Sequence, residues 1–166
     1  MFASLCLLNS DDFIDDSSSM RRDGRWDSQK KLIQRITRIT TRILPDGEGV
    51  ALRFINREVD NSYNLTLKEI SEIIDPMVLA PRCNTEIGTY LKSRILEPEV
   101  YSKIQAKEFE RPLLISIMTD GMPEPEKPTT LVDSILECGR KLEEAGYPRE
   151  SACLMPNFLF LALSPF

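Results

Sequence analysis

Asp11, Asp12, Asp15 and Asp16 place four carboxylates within six residues of one another. Like charges that close repel, so such a cluster is either solvated or neutralised by a cation. Inside it, Asp15-x-Ser17-x-Ser19 offers one carboxylate and two hydroxyls directly after the apolar pair Phe13-Ile14. A tight loop can turn these three oxygens towards one point. An oxygen-only set of low charge suits Mg²⁺ or Mn²⁺ better than zinc. Taken alone, the motif has a plainer reading as an exposed turn or a helix N-cap. Two distant segments bear on the choice. Thr119-Asp120-Gly121 follows the apolar run Pro112–Met118, and Thr85 stands just before a helical pattern. Their plain readings are a turn and another N-cap. If the strands are parallel, both segments fall on the same rim as Asp15, outside the carboxyl ends of the sheet where ligands bind.

The elements that must hold these residues can be read from periodicity. Phe13-Ile14 reads as the end of a short strand. Trp26 to Leu44 follows as a helix, with Leu32, Ile36, Ile39 and Ile43 as its apolar stripe. Pro45-Asp46-Gly47-Glu48-Gly49 breaks it, and Val50–Asn56 is the next strand. A helix over about Thr66–Asp75 carries Leu67, Ile70 and Ile74 on one face and stops at Pro76. The loop Ala80–Thr85 opens a third helix with Ile87, Leu91 and Ile95 towards the core, and Pro98 to about Glu108 fits either a short helix or a loop. Pro112–Thr119, almost continuously apolar, predicts a strand buried on both faces. A last helix near Thr130–Ala145 presents Leu131, Ile135, Cys138 and Leu142, with Gly146 as its stop. Strands alternating with helices predict a doubly wound α/β domain with a mostly parallel sheet and helices on both faces. Residues 11–150 would form it, with 1–10 an N-terminal extension and 151–166 an atypical apolar tail or last strand. The sheet is expected to be incomplete at the C-terminus, and both ends read as truncated.

Composition narrows the chemistry. The 166 residues suit one domain, and 42% hydrophobic with 28% charged is a globular balance. Zero histidines remove Ser-His-Asp and Cys-His catalysis and every His-ligated zinc or iron site. Cys6, Cys83, Cys138 and Cys153 contain no CxxC pair, so they read as reduced, mostly buried thiols of a cytoplasmic protein. A net charge of −5 argues against nucleic-acid binding, and no apolar stretch is long enough to span a bilayer. Arg21, Arg22 and Arg25 form a small basic knot that a solvated helix start explains.

The run Phe13-Ile14-Asp15-Asp16-Ser17-Ser18-Ser19-Met20, with Thr85 and then Ile117-Met118-Thr119-Asp120-Gly121-Met122-Pro123, resembles a von Willebrand factor A-type domain of the intracellular fungal kind. Trp26 and the turn Asp46–Val50 into Leu52-Arg53-Phe54-Ile55-Asn56 match the same subgroup. The similarity covers about Phe13 to Pro148. It implies a metal-ion-dependent adhesion site made of Asp15, Ser17, Ser19, Thr85 and Asp120. Ser17 and Ser19 would coordinate Mg²⁺ or Mn²⁺ directly and Thr85 directly or through water, while Asp15 and Asp120 would act mainly through waters. The implied function is binding without turnover, in which a Glu or Asp of a partner protein completes the metal's coordination. Ser18 stands where the family usually has glycine, and Arg82-Cys83-Asn84 replaces a Gly-rich approach to Thr85. These departures leave a second reading, a degenerate domain with a structural or interaction role and no metal. A third is a Mg²⁺-dependent hydrolase or phosphotransferase, but the chain lacks histidine and a Gly-rich phosphate loop.

Overall fold

β1 (Asn9–Ile14) is the middle strand of a three-stranded sheet, between β2 (Ala51–Phe54) and β3 (Leu113–Met118). The computed structural model describes residues 9–60, 62–79, 84–120 and 123–147. The 151–166 tail, the 1–8 start, Cys6, Cys83, Cys153, Arg82, Gly121 and Met122 lie outside them. Both pairings are parallel, with Asp12 opposite Leu52 on one side and Ser116 on the other. All three strands therefore deliver their carboxyl ends to one rim, and the fold is mixed α/β.

Successive strand residues face opposite ways, so each side of the sheet builds its own core. Ile14, Leu52, Phe54 and Met118 pack with residues of α1 (Arg25–Thr40) and α2 (Leu67–Ile74). Phe13, Ile115 and Ile117 pack instead with α3 (Ile87–Leu91), the π-helical stretch Lys92–Tyr101 that continues it, and α5 (Thr130–Glu144). The near-continuous apolar run of β3 follows from this double burial. Among the described residues no helix is long and apolar enough to cross a membrane.

Ile87, Leu91 and Ile95 are buried at their expected spacing. The segment from Pro98, open between helix and loop in the sequence, is helical. The π-helical turns run to Tyr101 and α4 (Ser102–Ala106) completes the rod, which Lys107 ends with φ 60°. Pro98 has no N–H to donate, and the wider i→i+5 winding absorbs that loss. At its end, the Ser102 N–H and hydroxyl both donate to the Glu97 carbonyl, the hydroxyl at 2.8 Å.

The stripe expected on α1 is displaced. Trp26, Gln29, Ile33, Thr37 and Thr40 are buried, Leu32 and Ile36 flank the core, and Ile39 and Ile43 are 58% and 57% exposed. The cause lies across the interface, where β1 presents Asp12. A buried carboxylate needs donors more than it needs aliphatic neighbours, and the Thr37 hydroxyl donates to it at 3.2 Å. Gln29 donates to the Met118 carbonyl at 3.1 Å on the same helix face. Ile43 lies beyond the end of the helix.

The short helix α3 has an internal anion at its N-terminus. The Glu126 carboxylate accepts from the Gly88 N–H at 2.8 Å, the Thr89 N–H at 2.9 Å and the Thr89 hydroxyl at 2.9 Å. These donors have no partner within the helix's first turn. Glu126→Ala should therefore cost about 1–2 kcal/mol, read as a lower urea midpoint with an unchanged slope. A wild-type midpoint would mean that water replaces the carboxylate without loss.

Candidate functional site

The four clustered carboxylates do not act as one group. Strand alternation sends Asp11 and Asp12 to opposite faces of β1, and only Asp15 and Asp16 reach the rim. Asp11 pairs with Arg53 at 3.5 Å, and burial pushes its pKa up to about 6 despite that guanidinium. Asp12 is fully buried, and among the described residues no cation pairs with it. Desolvation lifts its pKa to about 7, against the hydrogen bonds of Thr37 and Ser116, and one of its oxygens has no hydrogen-bond partner among the described residues. Asp16 accepts from the Asn56 N–H at 2.7 Å and from Arg57 at 2.8 Å. The expectation that solvent or a single cation neutralises the cluster is thus corrected. Two members are paired with arginines inside the protein, and one is buried alone.

Asp15 organises the rim. One oxygen accepts the Ser17 N–H at 2.9 Å, and the other accepts the Thr119 hydroxyl at 2.7 Å. The first contact closes a two-residue turn that fixes the loop after β1, a conformation short Asp side chains favour. The second ties that loop to the end of β3. The Ser17 and Ser19 hydroxyl oxygens lie 2.9 Å apart, Ser17 buried and Ser19 partly exposed. Asp15 is fully buried, and desolvation raises its pKa. The Ser17 and Thr119 hydrogen bonds oppose that rise, while the negative charge of Asp120 adds to it. Two carboxylates are therefore held within each other's field at the ends of β1 and β3.

Thr85 is buried and carried to the same rim by its neighbours. The Asn56 side chain donates to the Asn84 carbonyl at 3.1 Å while the Asn56 N–H holds Asp16. The Thr85 N–H donates to the Glu124 carbonyl at 2.6 Å, beyond β3. The loops after β1, β2 and β3 and the one before α3 are thus joined by hydrogen bonds.

Sequence reasoning missed two contributors. Asn56 had a visible signal, as a side-chain amide just past the end of a strand. Arg25 had a misleading one. Its place beside Arg21 and Arg22 suggested a solvated knot, yet only the latter two are exposed, and Arg25 donates to Asp120 at 2.6 Å. The 3-10 segment Ser18–Gly24 brings it there. Asp23 and Gly24 take left-handed φ values of 53° and 66°, which reverse the chain so that α1 starts at Arg25.

A cavity of about 430 Å³ opens at the end of β2, lined by Arg53, Phe54, Arg57, Tyr63 and Arg94 among others. Its guanidiniums are already engaged. Arg53 is held by Asp11 and Glu99, Arg57 by Asp16, and Arg94 by the carbonyls of Phe54 and Arg57.

Among the described residues, no three His, Cys, Asp or Glu side chains are grouped to hold a metal ion. The rim is of another kind, with two serine hydroxyls, a threonine hydroxyl and two carboxylates. Such hard oxygen donors fit Mg²⁺ or Mn²⁺ and fit zinc poorly. No family model matches the chain, and no curated protein matches it. Among solved structures, proximal thread matrix protein 1 from the mussel byssus is similar, with a TM-score of 0.55 and 20% identity. The match covers 82% of this chain and 36% of that one, and the likeness is one of fold.

Proposed function

We propose that this chain is a von Willebrand factor A-like domain with a doubly wound core, which binds Mg²⁺ or Mn²⁺ and uses it to capture an acidic side chain of a partner protein. Asp15, Ser17, Ser19, Thr85 and Asp120 would hold the ion. The observation that carries this reading is the Asp15 carboxylate, which binds the Ser17 amide and the Thr119 hydroxyl at once. Both its oxygens are engaged, so its part is to orient the two loops, as supporting carboxylates do around metal centres. The serine hydroxyls beside it are neutral donors. An ion held chiefly by neutral oxygens keeps enough positive charge to attract a Glu or Asp from outside. A bridging cation would let an acidic chain hold a carboxylate-bearing partner against the repulsion of its net charge of −5.

Arg25 favours a second reading. Its guanidinium already supplies Asp120 with a positive charge, so a domain of structural or interaction role could stand without metal. Mn²⁺ binding separates the two, followed through the electron paramagnetic signal of the free ion and through the melting temperature in Mg²⁺. The metal reading expects saturable binding and a Tm that rises with Mg²⁺. Asp15→Ala should weaken Mn²⁺ binding about 10–100-fold and remove EDTA-sensitive capture of Glu- and Asp-bearing peptides. A wild-type protein indifferent to both ions, with Asp15→Ala retaining the same peptides, leaves the metal-free reading in place.

A further inference from the structure

The Arg25–Asp120 pair engages one of the carboxylates of the proposed cation site. We propose that Arg25 is a built-in counter-ion that regulates this site, neutralising Asp120 in the metal-free protein and releasing it when a divalent ion binds. This rests on the cation-binding reading above and adds a competitor to it.

Two observations carry the inference. The contact is short and charge-assisted, Nη1 to Oδ2 at 2.6 Å, and Asp120 is nearly buried, with 5% of its side chain exposed. An ionised carboxylate so placed is costly to leave without a compensating charge. The Arg25 side chain is 21% exposed, and it starts from the first residue of α1 after a left-handed reversal. It can swing into solvent without disturbing the buried face of the helix, which Trp26, Gln29 and Ile33 make. Arg57 on Asp16 is a different arrangement. Asp16 also binds the Asn56 amide and so fastens two strand ends together, which gives that pair a structural part.

A monovalent cation already on the carboxylate lowers the gain from adding a divalent one. Metal affinity is therefore set below what the oxygen donors alone would give, and metal binding is coupled to the release of a mobile positive side chain. That side chain, freed at the rim, adds to the attraction for an acidic partner.

The test is Mn²⁺ titration of wild type, Arg25→Gln and Arg25→Lys, read by the free-ion electron paramagnetic signal, with melting temperatures measured in EDTA and in saturating Mn²⁺. Arg25→Gln should bind Mn²⁺ about tenfold more tightly than wild type, a shift typical of coupled sites. It should melt lower in EDTA and recover wild-type Tm when saturated. Arg25→Lys keeps the charge without the planar fork and should fall between the two. If Arg25→Gln does not fold without metal, the lysine variant carries the comparison. Equal or weaker binding in the variants overturns the role of Arg25 while leaving the metal site standing. Absence of binding in wild type and variants alike overturns both.

Discussion

The domain will lose stability as the pH rises from about 4 to about 7, and Asp12→Asn will remove most of that loss. Asp12 lies at the centre of β1 with no exposed surface, opposite Leu52 and Ser116. Burial raises its pKa from 3.8 to about 7. In the unfolded chain the group gives up its proton near the ordinary aspartate value, while in the folded chain it keeps the proton until about neutrality. Between those two values the native state binds more protons, so the stability present in acid is lost as the pH climbs. At about 1.4 kcal/mol per unit, the shift of Asp12 corresponds to about 4 kcal/mol. Asp11, raised to about 6, pulls in the same direction, tempered by Arg53. Asparagine keeps the shape and an acceptor for Thr37 while removing the charge. Its Tm at about pH 8 should exceed that of wild type by about 5–10 °C, given the few degrees per kcal/mol usual at this size. A Tm flat across this range would show that water reaches Asp12.

Gly88→Val should unfold the protein or cost about 3 kcal/mol or more, as overpacking at a backbone contact does. A Cβ at Gly88 would overlap the Leu131 nitrogen and lie 2.6 Å from the Thr130 carbonyl carbon, both backbone atoms of α5. No side chain is there to turn aside. The two helices are also sewn together through this residue. The Gly88 N–H donates to Glu126, and the Gly88 carbonyl accepts from the Ser134 hydroxyl at 3.2 Å. The need is for space, and Gly88→Ala should show the same defect at smaller size. Circular dichroism melts of both variants decide it, and a valine variant with wild-type Tm would mean that α3 and α5 stand further apart in solution.

What could be read from the sequence was what repeats. The spacing of Ile87, Leu91 and Ile95, and of Ile70 and Ile74, located helices whose buried faces are now seen, because aliphatic residues at helical intervals have one favourable place to go. The unbroken run of β3 carried the same kind of signal. Reading failed where polar residues took core positions. On α1, Gln29, Thr37 and Thr40 are buried in place of Ile39 and Ile43, since Thr37 answers to Asp12 and Gln29 to Met118 on other elements, and periodicity of apolar residues is blind to such partners. Asp11 and Asp12 were legible as carboxylates and illegible as strand residues, because charge clustering suggested a solvated or cation-neutralised group.

At the rim, Asp15, Ser17 and Ser19 were legible from their spacing in one loop, whereas the partners of Asp15 and Asp120 were not. Thr119 and Arg25 come from distant segments, and their pairing depends on strand order. Gly88 carried no signal at all. Its tight quarters belong to the contact between two helices and not to its own segment.

The bond between Asp15 and Thr119 spans 104 positions of the chain, and that separation decides when the rim can exist. A nascent or clipped chain that ends before β3 can form the Ser17 turn, yet it has no hydroxyl for the second oxygen of Asp15. The rim has no local half-built form. The second Asp15 contact forms only when β3 has paired with the central strand, so it belongs to the finished sheet and to no fragment that stops short of it.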